Sequence, residues 1–236
     1  MTSTIRVATA LILGVSFSLI LPCARSDDGA VQLITAQSAS GDVSGWKSFH
    51  GGAGDASVKT ADVWKLDADG VLHCKGKPLG YLYTEKDYGS FVLTLEWRWP
   101  PGKKAGNGGV LLRTTGRHKV WPKSLEAQLN AGDAGDFWGL DGYRLSGPAE
   151  RRKTIEHTPF GTLTNLKKTK PLEKAPGQWN RYEIRAEGEK VTLSINGQLV
   201  NQATGCEAAP GKICLTAEGD EIEFRNLQLA PIGGKE

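Results

Sequence analysis

Three segments of this chain carry polar residues of a kind that could do chemistry, and each alternates them with apolar residues. They span residues 90–99, 124–130 and 221–229, and a period of two is typical of a strand with one face in a core. The polar positions hold carboxylates, guanidinium groups and amides: Glu96, Arg98, Glu126, Gln128, Glu223 and Arg225. Two interpretations are open, because such side chains can line a polar groove, such as a carbohydrate site, or form cross-strand ion pairs on an exposed sheet.

A groove of this composition could bind and activate a sugar. Glu126 and Gln128 share one face of their segment, and Glu96 and Arg98 share one face of theirs. Arg113 ends a further strand-like run, from which its side chain could reach over a groove. An arginine beside a glutamate keeps the carboxylate ionised, which suits a base or an acceptor of sugar hydroxyl groups. Arginine and amide side chains also fix polyol geometry through paired hydrogen bonds.

Two tryptophans and one histidine lie in loop-like stretches. Trp121 precedes Pro122, and Trp138 lies in a glycine-rich turn. A flat ring at a groove rim could stack on a sugar face, and the alternative is that each ring packs into the core. Among the histidines, His157 in the long loop is the best candidate for a general acid or base, because imidazole can exchange a proton near neutral pH.

Signatures of cofactor and metal binding are weak or missing. The histidines and cysteines do not show zinc-ligand spacing. Asp133, Asp136 and Asp141 could supply oxygen ligands, but they do not match the calcium-loop pattern, so no cofactor is assigned and a divalent metal stays open. Serine-hydrolase and nucleotide-binding fingerprints are absent. The ExDxxE motif of retaining β-glucanases is also absent, which argues against double-displacement hydrolysis by that route.

The N-terminus has the pattern of a signal peptide over residues 1–26. Arg6 precedes an apolar run, residues 7–21, and small residues stand before two acidic ones at the expected cleavage point. Cys23 leaves a lipoprotein open, although Pro22 fits a lipobox poorly. We therefore expect export to the periplasm or the medium, with no stable membrane span after cleavage. Cleavage would leave 27 basic and 26 acidic side chains, a balance that does not favour a nucleic-acid partner.

The remaining chain predicts an all-β sandwich or jelly roll. Thirty glycines and many strand-length runs at short spacing favour this class, and helical periodicity is not evident. Residues 27–43 read as a polar leader, and residues 44–231 read as one domain. Asn196-Gly197 predicts a tight type I′ hairpin. Residues 131–177 are too long for a simple connection, so we expect them to be functional or to carry small strands.

The cysteines could form at most one disulfide in the exported chain. Cys206 and Cys214 flank a turn-rich stretch, so a local disulfide between them is plausible, and two free thiols are the alternative. Cys74 lies in a strand-like run and is expected to be buried.

The order of short segments resembles the 3-keto-disaccharide hydrolase domain family, long known as a domain of unknown function in exported bacterial proteins. The resemblance covers residues 44–231, and no single piece is specific although the ordered set is. The segments are Gly45-Trp46, Asp69-Gly70-Val71-Leu72, Tyr88-Gly89-Ser90-Phe91, Leu95-Glu96-Trp97-Arg98, Asn107-Gly108-Gly109-Val110, Glu126-Ala127-Gln128-Leu129, Gln178-Trp179-Asn180 and Ile222-Glu223-Phe224-Arg225-Asn226. It implies a concanavalin A-like jelly roll of two curved antiparallel sheets.

The resemblance also implies action on glycosides already oxidised at C3. A ketone at C3 acidifies the C2 hydrogen, so a base can remove it, the aglycone can leave from C1, and water can then add. The resulting hypothesis makes Glu126 the base or acid, with Glu96 as a competitor, and Arg98 and Arg113 the stabilisers of the oxyanion. Gln128 and Asn107 would position the substrate. A divalent metal is possible in this family. The rival interpretation is a non-catalytic carbohydrate-binding module on the same sandwich.

Overall fold

The computed structural model describes residues 29–51 and 55–233, so the signal peptide expected at residues 1–26 lies outside the described residues. The described chain forms strands, one four-residue helix and one short 3-10 turn at Ala149–Arg151. In chain order the elements are β1 Val31–Gln32, β2 Trp46–His50, α1 Thr60–Val63, β3 Trp64–Leu66, β4 Leu72–Cys74, β5 Gly80–Thr84, β6 Phe91–Arg98, β7 Gly109–Thr115, β8 Lys123–Gln128, β9 Phe137–Leu140, β10 Arg152–His157, β11 Gly161–Leu166, β12 Asn180–Glu187, β13 Lys190–Ile195, β14 Gln198–Ala203, β15 Lys212–Ala217 and β16 Ile222–Pro231.

The strands form two antiparallel sheets that enclose the core. The back sheet has the order β14-β13-β12-β6-β16-β4-β3, and β1 pairs with β16. The front sheet has the order β10-β11-β9-β8-β7-β15-β5-β2. The all-β class predicted from the sequence is therefore confirmed.

The period-two alternation decides which side chains fill the space between the sheets. In β6, Phe91, Leu93, Leu95 and Trp97 are buried, while the intervening residues are only half-buried. Trp97 meets Trp99 edge to face, with ring centroids 5.7 Å apart. Each such side chain, once fully buried, stabilises the fold by about 1.5–3 kcal/mol. The alternation predicts this core-facing set correctly.

The long segment and the predicted hairpin are also as expected. Residues 131–177 carry the short strands β9, β10 and β11, which extend the front sheet on one side of β8. Asn196 and Gly197 have φ angles of 51° and 81°. Positive φ at both central residues is what a type I′ turn requires, so these two residues connect β13 to β14 in the predicted way.

The expected polar leader is part of the fold from residue 29 onwards. Val31 pairs with Leu229 in the back sheet, and Ile34 and Val43 are buried in the core. The side-chain amide of Gln37 donates to the Trp64 carbonyl oxygen at 3.0 Å. The segment lacks a periodic pattern because isolated apolar residues and one amide hold it against the sandwich, rather than a continuous strand.

The three described cysteines are free and buried, so the local disulfide does not form. Cys206 packs in the core between the sheets, whereas Cys214 faces the opposite side of the front sheet. Cys206 lies in the loop after β14 and Cys214 lies in β15, and the two thiols pack in different clusters, which does not meet the geometry that a disulfide requires. Burial raises the pKa of Cys74, Cys206 and Cys214 to about 12.

None of the helices in residues 29–51 and 55–233 is long and apolar enough to cross a membrane.

Candidate active site

The outer face of the front sheet carries the candidate site. Strands β5, β7, β8 and β15 each send one set of residues into the core, and the alternate set points outward. Among the outward residues, Tyr81, Leu111 and Cys214 join a second apolar cluster with the half-buried rings of Trp121 and Trp138. The period-two alternation that fills the core therefore also places these side chains together on the outer face of the front sheet.

A pocket of about 220 Å³ opens on this face. Five residues that the sequence analysis assigned to a site line the pocket: Asn107, Trp121, Glu126, Gln128 and Trp138. Glu218, which the sequence analysis did not consider, lines it as well. Amide and carboxyl groups form one part of its wall, and two indole rings form another. A few placed polar groups beside aromatic rings are typical of a small-molecule binding site.

Glu126 lines the pocket from strand β8. It pairs with Leu111 of β7 on one side and with Trp138 of β9 on the other. Its side chain is only 4% exposed, and Oε1 has no hydrogen-bond partner within the described part of the chain. Burial raises the pKa of Glu126 well above its ordinary value, and the neighbouring Glu218 raises it further. These surroundings favour the neutral carboxylic acid.

Glu218 is the second carboxyl group of the pocket, and it was missed in the sequence analysis. It directly follows β15, and its Oε2 accepts a hydrogen bond of 2.6 Å from Asn107 Nδ2. Burial raises the pKa of Glu218, and the Thr216 hydroxyl and the Trp121 indole partly offset this rise. Cys214, Thr216 and Glu218 alternate along one strand face, so the same period-two pattern extended by one residue could have identified it.

Two of the three amide side chains of the pocket, those of Gln128 and Asn107, are held in fixed orientations by hydrogen bonds. Gln128 Oε1 accepts from the backbone N–H groups of Leu129 at 2.9 Å and Asn130 at 2.8 Å, which leaves the Nε2 group to act as a donor. Asn107 donates through Nδ2 to Glu218, so its Oδ1 is the acceptor that remains.

Three buried oxygens of the pocket lack partners among the described residues: Asn107 Oδ1, Glu126 Oε1 and Glu218 Oε1. A buried acceptor without a donor costs about 1–3 kcal/mol. Such a group of acceptors is suited to a ligand with several hydroxyl groups, which can satisfy all three at once.

Trp121 adopts a backbone conformation that L-residues rarely use, with φ at 56°. Its ring packs on Phe160 at a centroid distance of 4.3 Å. Uncommon backbone angles in bulky residues concentrate at functional sites, where the surrounding structure holds them. The strained position of Trp121 at the rim is therefore consistent with a role in ligand contact.

Arg98 and Glu96 lie on the outer face of the back sheet, away from this pocket. Arg98 Nε contacts Glu223 at 2.6 Å, and Arg225 Nε contacts Glu96 at 2.7 Å. The guanidinium groups of both arginines lie over the Trp179 ring, 4.3 and 4.1 Å from its centre. On this sheet the polar alternation produces cross-strand ion pairs, whereas on the front sheet it produces the pocket.

Arg113 lies outside the pocket lining as well. It is 1% exposed, and it donates to the carbonyl oxygens of Gly89 at 2.9 Å and Glu207 at 2.8 Å. Tyr143 donates to the same Glu207 carbonyl at 2.7 Å. Arg113 therefore links the loop that contains Gly89 to the loop that contains Glu207.

His157 is exposed at the end of β10. Its ring lies 5.0 Å from that of Phe160, which in turn packs on Trp121, so the histidine borders the site through one intervening ring.

The aspartates considered as metal ligands are paired with lysines. Asp133 lies near Lys167 and Lys168, and Asp141 Oδ2 lies 2.7 Å from Lys119 Nζ. Within residues 29–51 and 55–233, no group of three or more histidine, cysteine, aspartate or glutamate side chains could hold a metal ion.

Solved structures with this fold include carbohydrate-active proteins. A candidate glycosyl hydrolase from Parabacteroides distasonis ATCC 8503 superimposes with a TM-score of 0.60 and 19% identity over 91% of this chain and 99% of that one. Carbohydrate-binding module CBM66 from Bacillus subtilis has a TM-score of 0.54 and 13% identity over 79% and 95% of the two chains. For the Bacillus licheniformis β-glucanase the TM-score is 0.51 and the identity 13%, over 87% and 99%. These likenesses establish the jelly-roll fold.

A search of curated proteins finds no match. The family model described as a 3-keto-alpha-glucoside-1,2-lyase-like domain matches residues 36–230, which is most of the chain. It represents the same family that the ordered segments resemble. With its two-sheet jelly roll and its pocket of carboxyl, amide and indole groups, this chain belongs to the carbohydrate-acting family of 3-keto-alpha-glucoside-1,2-lyase-like domains.

Proposed function

We propose that this protein is an exported enzyme that cleaves 3-keto-glycosides by removing the C2 proton and expelling the aglycone from C1. The observation that carries the proposal is a pair of carboxyl groups, the buried Glu126 and the half-buried Glu218, that line one sugar-sized pocket in a member of this family. Two carboxyl groups in unlike surroundings can take unlike roles, one as a neutral acid and one as a base.

Glu218 suits the role of base. Asn107 holds its Oε2, and Oε1 stays free of protein partners within the described residues. Its raised pKa makes it a stronger base than an exposed glutamate, and a base is most effective when its pKa lies near the working pH. Glu218 would take the C2 proton and return it to the leaving oxygen as the C1–O bond breaks.

Glu126 suits the role of neutral acid. No protein group donates to its Oε1, and both burial and the charge of Glu218 disfavour its ionised form. A neutral carboxylic acid in a dry pocket can donate a hydrogen bond to the C3 oxygen as negative charge develops there. Gln128 Nε2 can supply a second donor. Water then adds to the unsaturated product, which completes the hydrolysis of the glycosidic bond.

The decisive assay uses a 3-keto-α-glucoside and the same glucoside without the ketone. We expect aglycone release from the first compound alone, with and without a chelator, and slower release when C2 carries deuterium. Glu218→Gln should lower kcat about 10³-fold or more. Glu126→Gln keeps an N–H donor and should retain more activity than Glu126→Ala, whose loss should be about 10²–10³-fold. Equal release from both glucosides would exclude this chemistry.

The same assay distinguishes the enzyme from the alternative, a non-catalytic carbohydrate-binding module. A binding module would bind the 3-keto-glucoside in calorimetry without ever releasing the aglycone, and Glu218→Gln would then alter affinity only.

Export rests on the pattern of residues 1–26. Mass spectrometry of the protein recovered from the periplasm or the medium should find an N-terminus at Asp27, and an intact Met1 on cell-associated protein would contradict export with cleavage.

A further inference from the structure

A second cavity of about 130 Å³ adjoins the pocket on the same face of the front sheet. The two cavities share Asn107, Trp121 and Glu218, which therefore lie at the boundary between them. Glu126 lines the first cavity and Leu111 lines the second. The site thus has two lobes that meet at the proposed base.

The walls of the two lobes differ in chemistry. The first lobe, here the sugar lobe, is lined beyond the boundary residues by the carboxyl group of Glu126 and the amides of Gln128 and Asn130, beside Trp138, Leu140 and Leu163. The second lobe, here the apolar lobe, is lined apart from the boundary residues mainly by hydrocarbon and aromatic surface: Leu79, Leu111, Val120, Phe160 and Ala217, with Tyr81 and Thr216 as its two hydroxyl side chains.

Both hydroxyl groups of the apolar lobe already have protein partners. The Tyr81 hydroxyl is bonded to His118 Nδ1 at 2.8 Å. Thr216 Oγ1 accepts from the Gly109 N–H at 2.6 Å and donates to the Gly109 carbonyl oxygen at 3.2 Å. A second sugar in this lobe would leave its own hydroxyl groups unpaired, at a cost of about 1–3 kcal/mol for each buried one.

The position of Glu218 defines what each lobe holds. Because a base that passes a proton from C2 to the leaving oxygen must lie beside the scissile bond, that bond lies at the boundary, and the aglycone extends into the apolar lobe. Resting on the proposed function, we infer that the apolar lobe binds a hydrophobic aglycone and that the preferred substrates are 3-keto-glucosides of aryl or alkyl alcohols rather than 3-keto-disaccharides. A cavity of about 150 Å³ admits a benzene ring, so the lobe is of the right size for one small ring.

Two 3-keto-α-glucosides test this, one with benzyl alcohol and one with glucose as the aglycone. Benzyl alcohol is the poorer leaving group, so any preference for it must come from binding rather than from easier bond cleavage. We expect kcat/KM for the benzyl compound to be at least about tenfold higher, mainly through a lower KM. Equal or faster turnover of the disaccharide would overturn the inference while leaving the proposed function intact.

A polar substitution in the lobe gives the matched test. Val120→Asn should reduce the preference for the benzyl compound over the disaccharide about tenfold and raise KM for the benzyl compound. Val31→Asn, at a residue 51% exposed on the back sheet, is the control and should change neither. An unaltered preference in the Val120 variant would contradict the assignment.

Binding measurements can test the apolar lobe even if the protein cleaves neither compound. Calorimetry with the unmodified protein should then show tighter binding of the benzyl compound than of the disaccharide, and weaker binding after Val120→Asn. The absence of turnover would count against the proposed function, whereas equal affinities would count against the apolar lobe.

Discussion

The carboxyl group of Glu126 occupies the space that a side chain at residue 109 would need. A Cβ atom built on Gly109 would lie 2.1 Å from Glu126 Oε1. The two residues belong to the neighbouring strands β7 and β8. The glycine thus leaves room for the buried carboxyl group of Glu126, which lines the pocket.

Gly109→Ala should therefore displace the Glu126 side chain and lower kcat about 10²-fold, because the donor at the C3 oxygen would be misplaced. Gly108→Ala is the matched control: its Cβ would meet Ile222 Cδ1 on the core side at 3.3 Å, which should cost some stability but little activity. Steady-state kinetics and thermal unfolding of both variants measure the difference. Full activity in the Gly109 variant would contradict the role given to Glu126.

Glu126 should destabilise the folded protein as the pH rises. Its pKa in the folded state is raised well above the unfolded value, so its favourable contribution is complete at low pH and is lost as the pH rises through the folded-state pKa. Glu126→Gln removes the ionisation. We expect its free energy of unfolding, relative to the wild type, to increase from pH 5 to pH 8 in urea titrations. A constant difference across that range would argue that the carboxyl group titrates normally.

The acid limb of the pH–rate profile should report Glu218. Because its pKa is raised, kcat/KM should begin to fall at a pH above that of an ordinary glutamate, as the base becomes protonated. Asn107→Ala removes the hydrogen bond to Oε2 that favours the ionised form, so the limb should move to higher pH. A lower kcat with an unmoved limb would show that Asn107 acts only on the structure.

Arg98→Ala should leave kcat/KM unchanged, because Arg98 pairs with Glu223 on the back sheet. Loss of the ion pair and of the contact with the Trp179 ring should lower the free energy of unfolding by about 1 kcal/mol, since the group is partly exposed and Glu223 keeps His73 as a partner. Urea titration and kinetics on the same sample measure both quantities. A strong loss of activity would indicate that Arg98 takes part in catalysis.

Cys74, Cys206 and Cys214 should all be free and unreactive in the native protein. They are buried, and burial raises their pKa to about 12, so little thiolate exists at pH 8. A thiol reagent should modify none of them in buffer and all three in denaturant, with no prior reduction. Detection of a peptide that links Cys206 to Cys214 would contradict the fold as described.

The all-β class, the strand faces and the hairpin at Asn196-Gly197 follow from the sequence, because these features depend on local periodicity and turn chemistry. Glu126, Gln128 and the two rim tryptophans could be singled out for the same reason. Glu126 and Gln128 lie on the polar side of an alternating strand and Trp121 lies in a loop, whereas Trp138, which was expected in a turn, lies in strand β9.

The sheet to which each strand belongs, and hence which polar groups meet, was decided by the tertiary structure alone. Glu96 and Arg98 alternate in the same way as Glu126 and Gln128, yet β6 pairs with β12 and β16 in the back sheet, while β8 lies in the front sheet. Glu218 reaches Glu126 because β7 lies between β15 and β8 in space, although more than ninety residues separate the two glutamates in the chain. Periodicity records which way a side chain points, but strand order depends on the packing of distant segments, and that order places two carboxyl groups in one pocket.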